Sequence, residues 1–171
     1  LGRLDKIAAE RSIAVDRRPF LLNPNKPAEG EPRQQRDGET ETELNPAMME
    51  RAKGVGLAMR RPSWSPDTRL VHEATIYAKE QGKDNEFHHA AAKGYWEKGI
   101  NLGDSTVLKD VAQESGLNWD ELGPRLESGH YRQQVLDEFA AAKEKGVGGT
   151  PTYMIGGEIL GGDISVEDLL S

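Results

Sequence analysis

Residues 146–163 run Gly146-Val147-Gly148-Gly149-Thr150-Pro151-Thr152-Tyr153-Met154-Ile155-Gly156-Gly157-Glu158-Ile159-Leu160-Gly161-Gly162-Asp163. Thr152 to Ile155 are β-formers that follow a proline. A proline has no N–H to give to a ladder, so it suits the first position of a strand and not its middle. Gly156-Gly157 is a two-residue turn, and Glu158-Ile159-Leu160 returns as a second strand, so this stretch predicts a β-hairpin. Gly146 stops a preceding helix. Gly161-Gly162-Asp163 leads into a short closing helix, with Ser165 and Asp168 as a capping box.

Upstream of the hairpin, residues 46–146 read almost wholly as helix. Pro46 opens a short one that Gly54 closes. Ser65 is the expected cap of the next, with Pro66 at the first helical position and Asp67 near its positive end; it runs to Gly82 with Leu70, Ala74 and Tyr77 on one face. Helices then follow from Asn85 to about Lys98, from Asp104 or Ser105 to Gly116, from an Asn118/Glu121 capping box onward, and from His130 to Lys145. Before this block, Leu1, Leu4 and Ile7 mark an amphipathic helix over residues 1–11. Ile13 to Leu22 reads as a strand demoted to an edge by Pro19. Asn23 to Asn45 is a long loop of Pro, Gly, Gln and charged residues with almost nothing to bury.

The 171 residues are 36% hydrophobic and 30% charged, with 29 acids against 22 bases. That is enough apolar material for a core, which excludes a wholly disordered chain. A net charge of −7 argues against a broad nucleic-acid or anionic-lipid surface. No run approaches the roughly 18 apolar residues of a membrane span. Cysteine is absent, which rules out a disulfide framework, a Cys-based zinc site and a thiol nucleophile within these residues. His88-His89 with Glu86, and His72 with Glu73, do not converge on one ion, because neighbouring helical residues point about 100° apart. No metal site is expected.

The segment Gly146 to Ile155 resembles the cis-proline strand of the DsbA branch of the thioredoxin superfamily. Three further segments are similar to its FrnE-like members: Gly2-Arg3-Leu4-Asp5-Lys6, Arg18-Pro19-Phe20-Leu21-Leu22-Asn23-Pro24, and Asn101-Leu102-Gly103-Asp104 with Val107-Leu108. Asp67 to Ala74 resembles the start of a helix in their inserted helical domain. The resemblance implies an α/β, thioredoxin-like fold split by an all-helical insertion. Residues 1–45 and 147–171 would form the two parts of the thioredoxin-like domain, and residues 46–146 the insertion.

In that family a first, central strand and a Cys-x-x-Cys pair stand immediately before the helix that Leu1 begins. Neither is in this sequence. A central strand removed from a sheet leaves buried N–H and C=O groups unpaired, at about 1–3 kcal/mol each. The expectation is therefore an N-terminally shortened form of a longer protein, with strand swapping or a homodimer as the other way to fill the gap.

The function implied by the resemblance is thiol–disulfide oxidoreductase activity on protein or small-molecule disulfides, without a separate cofactor and in the cytoplasm. No catalytic residue is assigned within the chain. Thr150 and Pro151 are the expected substrate-binding residues, the first offering its backbone to an extended substrate. Gly162 and Asp163 form an anion-site candidate at a helix start, although a plain loop and cap explain them more simply. Trp64, on a loop entering the helical block, is the aromatic residue expected to face the cleft; the remaining Trp and Tyr residues read as core. Two alternatives stand beside this: a glutathione-dependent isomerase or transferase of the hydroxychromene-carboxylate isomerase or kappa-class type, and a non-catalytic peptide-binding module.

Overall fold

Helix α1 (Gly2–Arg11) carries the apolar spacing of the N-terminal segment and buries Ile7. The computed structural model describes residues 2–54, 56–162, 164 and 165. Residues 13–22, expected as a strand, have no strand structure. Pro19 has no N–H to donate, and no strand among the described residues runs beside the segment. Its apolar side chains pack singly instead. Leu21 is buried, the Phe20 ring lies 5.1 Å from that of Phe139, and Ile13 and Leu22 face solvent.

The chain divides into two compact units, one formed by residues 1–24 with 133–171 and the other by residues 25–132. The sequence placed the junctions at 45/46 and 146/147. The first differs because the 25–45 segment is fastened to the helical unit, and the second because residues 133–146, which hold most of the last long helix, group with the other unit. Its short strand β1 (Glu31–Pro32) pairs antiparallel with β2 (Trp64–Ser65). The Trp64 indole N–H donates to the Glu29 carbonyl at 3.1 Å, and Arg33 and Arg61 both close on the buried Glu39 carboxylate.

The helical unit is built on α3 (Arg69–Glu80), which packs against α4 (Asp84–Lys93), α5 (Ser105–Glu114) and α6 (Trp119–Glu127). Helix α2 (Pro46–Gly54) precedes them, and a π-helical turn (Gly94–Lys98) extends α4. Tyr77, Phe87, Leu108 and Leu122 are the large side chains at the centre of this core. Helix α3 starts later than expected, after Thr68 and not Ser65. Ser65 is held in the β2 ladder, and its hydroxyl accepts from Lys26 at 2.8 Å. Asp67 does the capping work, accepting from the Arg69 backbone N–H at 3.1 Å.

Two phenols tie α3 to its neighbours. Tyr77 donates to Glu121 at 3.0 Å, and Tyr131 donates to Glu80 at 2.6 Å while accepting from Arg125 at 2.8 Å. Burial, with the adjoining carboxylates, keeps both phenols above their ordinary pKa.

At α5 the expected cap is present: Asp104 is extended and accepts from the N–H groups of Thr106 and Val107 at 2.8 and 3.4 Å. Replacing Asp104 with Ala is expected to cost about 1 kcal/mol, read as a lowered melting temperature, while Asp104→Asn keeps most of it. At α6, Asn118 caps the Asp120 N–H, but Glu121 meets the Asn118 side chain and does not reach back to its backbone. Pro124 lies inside α6, which continues to Glu127.

The other unit holds α1, most of α7 (Arg132–Glu144) and the hairpin of β3 (Thr152–Ile155) and β4 (Glu158–Gly161). The hairpin pairs Tyr153 with Leu160 and Met154 with Ile159, and Gly156 and Gly157 both take positive φ, as a primed two-residue turn requires. Among the described residues, the exposed large apolar side chains are Ile13, Leu22, Leu136, Met154, Ile155 and Ile159, all in this unit. The expected closing helix, with Asp168 of its capping box, lies outside the described residues.

Candidate functional site

Helix α7 ends where Gly146 turns to φ 85°, and the Gly146 and Val147 N–H groups donate back to Lys143 and Ala142. Val147 is buried and anchors the loop that follows. From there the chain passes Gly148 and Gly149 to a cis Thr150–Pro151 peptide and enters β3. Two hydrogen bonds shape the loop. The Thr152 hydroxyl donates to the Gly149 carbonyl at 2.7 Å, and the Gly162 N–H donates to the Pro151 carbonyl at 2.9 Å.

These residues enclose a concavity of about 460 Å³, lined by residues 146–152 with Ile159, Gly161 and Gly162. Among the described residues, the lining contains no ionisable side chain. The N–H groups of Gly148, Gly149 and Thr150 have no acceptor among the described residues. A Cβ placed on Gly148 or Gly149 would meet nothing within 4 Å, so the space over that backbone is open. The site can therefore hold an extended chain by backbone hydrogen bonds and apolar contact.

Of the residues singled out from sequence, Thr150, Pro151 and Gly162 come together in this lining. Gly162 spends its N–H inside the hairpin and so does not offer it to an anion. Asp163 lies outside the described residues. Trp64 belongs to the helical unit, half-buried, with its indole N–H on Glu29 and its carbonyl accepting from Tyr95 at 3.3 Å. Sequence reasoning missed Gly148 and Gly149 as donors and Ile159 as a wall. The Gly-Gly run before Thr150 was the available signal. Among the described residues no group of His, Asp or Glu is arranged to hold a metal ion, and no helix is long and apolar enough to cross a membrane.

The family model of the DSBA-like thioredoxin domain matches residues 1–171. This chain belongs to that family. Within it, the chain is 26% identical over 157 residues to the uncharacterized protein YwbO of Bacillus subtilis strain 168, a match spanning 89% of this chain and 76% of YwbO. The fold is that of the probable DsbA oxidoreductase SCO1869 from Streptomyces coelicolor, with a TM-score of 0.84 at 22% identity, over 97% of this chain and 78% of that one. A 2-hydroxychromene-2-carboxylate isomerase superposes with a TM-score of 0.74 at 16% identity, over 99% and 82%. The DSBA-like chain thus has the α/β, thioredoxin-like fold expected from its cis-proline segment, and the family match extends over its whole length.

Proposed function

We propose that the Gly146–Thr152 loop and its hairpin form the substrate-holding half of a DsbA-type thiol–disulfide oxidoreductase, of the FrnE-like branch and acting in the cytoplasm. The observation that carries this reading is the run of three N–H donors, Gly148 to Thr150, that have no acceptor among the described residues, on a concavity whose described lining has no charged side chain. Such a surface suits the main chain of an extended polypeptide, whose carbonyls accept and whose side chains it barely reads. The thiolate that attacks a disulfide, and the thiol that resolves the mixed disulfide, are both cysteine chemistry. Since these residues include no cysteine, both thiols come from outside them in this reading. Binding is the share of the work that the 171 residues supply.

The glutathione-dependent reading is the alternative, and the lining disfavours it. Glutathione brings two carboxylates, and none of the described lining residues is a cation. The two readings separate in an amide-resolved titration of the isotope-labelled protein, once with an extended, uncharged peptide whose cysteine carries a mixed disulfide with methanethiol and once with glutathione. The peptide is expected to shift the Gly148, Gly149 and Thr150 amides at a dissociation constant at least about tenfold below that of glutathione, a difference of about 1.4 kcal/mol. Tighter binding of glutathione at the same amides would transfer the site to the isomerase or transferase class. If neither ligand moves these amides, the loop is not the binding site.

A further inference from the structure

Glu73 lies on α3 with its side chain 1% exposed, and neither carboxyl oxygen has a hydrogen-bond donor among the described residues. A buried polar group is nearly always paired, because leaving one unpaired costs free energy. The cation beside it is Arg132, whose Nε stands 3.6 Å from Oε1, well beyond the 2.7–2.9 Å typical of a charge-assisted bond. The Arg132 side chain is itself 59% exposed. Its guanidinium rests on Gly129, where an added Cβ would come within 2.9 Å of Cζ. A glycine at φ 66° thus seats the guanidinium in a loose ion pair with the carboxyl, at 3.6 Å and without a hydrogen bond.

Arg132 has few rivals. The other charged groups acting on Glu73 are Arg69 and Asp67, which are bonded to each other at 2.7 Å. From α6, Glu121 and Arg125 are taken up by Tyr77 and Tyr131, and Tyr77, one turn along α3, donates to Glu121. The buried residues of α4 and α5 are Phe87, Ala91, Leu108, Val111 and Ala112.

We propose that Glu73 and Arg132 form a pH-operated latch within the helical unit, open while Glu73 is protonated and closed on Arg132 when it ionises. Closing releases one proton to solvent and forms one Nε–H to carboxylate hydrogen bond; Arg132 is a cation throughout. Burial raises the Glu73 pKa, with Arg132 opposing. The sign follows. A carboxyl that keeps its proton longer in the folded state gives stability that is present below its unfolded pKa and is lost as pH rises through the folded one. The closing latch recovers part of that loss.

The test is thermal melting from pH 4 to 9 of the wild type, Glu73→Gln and Arg132→Ala, with amide exchange at residues 132–135. Between pH 5 and 8 the wild type is expected to lose about 5 °C relative to E73Q, and R132A about 5 °C more than the wild type. Exchange protection at 132–135 is expected to rise about fivefold with pH in the wild type and to stay flat in both variants. Equal pH slopes for the wild type and R132A would overturn the latch. If E73Q does not fold, a carboxyl carbon titration of the wild type decides: an ordinary midpoint for Glu73 also overturns it.

Discussion

Replacing Glu39 with Gln is expected to destabilise the helical unit by about 3 kcal/mol at pH 7, the range found when one partner of a buried ion pair is removed. Glu39 is 6% exposed and holds two guanidinium groups at once, Arg33 through both oxygens at 2.7 Å and Arg61 at 3.2 Å. The Arg36 backbone N–H adds a donor at 3.0 Å. The paired bonds from Arg33 outweigh the opposing effect of burial and hold the carboxyl at about 2. A glutamine keeps the shape but leaves two largely buried cations without a counter-charge.

The pH dependence of this effect has the opposite sign to that of Glu73. A depressed carboxyl gives stability that is full above its unfolded pKa and disappears as pH falls through the folded one. The gap between wild type and E39Q is therefore expected to be widest above pH 4.5 and to close toward pH 2. Urea melts at pH 7 and pH 2.5 check both parts. Equal stability at pH 7 would mean that the triad contributes no net stabilisation.

Local patterns in the sequence gave away whatever depends on neighbours along the chain. The hairpin, its Gly-Gly turn, the Asp104 cap and the stop at Gly146 all rest on a few consecutive residues, and each is found in place. The thioredoxin-like fold was legible through the resemblance that Gly146–Ile155 and four further segments bear to one family. What failed to show was made by distant pairs. Ser65 looked like a cap until β1 took it into a ladder with Glu31, thirty-odd positions upstream. Ile13 to Leu22 had strand composition, but a strand needs a partner, and composition cannot supply one. The 25–45 segment read as a loop with nothing to bury because its anchors are polar. Arg33, Glu39 and Arg61 look like solvated charges in a sequence and become an internal ion cluster only when Arg61 arrives from another part of the chain.

The candidate site was half legible in the same sense. Thr150 and Pro151 stand out by motif, whereas Gly148 and Gly149 matter through N–H groups that every residue but proline has. Their standing as donors comes from what they lack, an acceptor among the described residues, and only the fold shows that. Ile159 reaches the same concavity through the hairpin register, from eight residues beyond Pro151.

Gly30→Ala tests the 25–45 segment from its other anchor. Gly30 takes φ 77°, and a Cβ there would lie 2.6 Å from the Trp64 Nε1, 2.8 Å from the Ser65 carbonyl oxygen and 3.1 Å from the Pro66 Cα. Two of those three atoms are backbone and cannot swing aside. The left-handed conformation costs an L-residue roughly 1–2 kcal/mol, and forcing atoms into a filled space about 1–3 more. A loss of roughly 2–5 kcal/mol is expected by the same principles, together with a changed Trp fluorescence as the indole leaves Glu29. Gly148→Ala is the matched control, since its Cβ meets nothing within 4 Å; it is expected to stay within about 0.5 kcal/mol of wild type. Should G30A melt like G148A, the segment is not fixed against Trp64. If it melts far lower, a stretch whose composition suggests an unstructured loop is as firmly built as the helices beneath it.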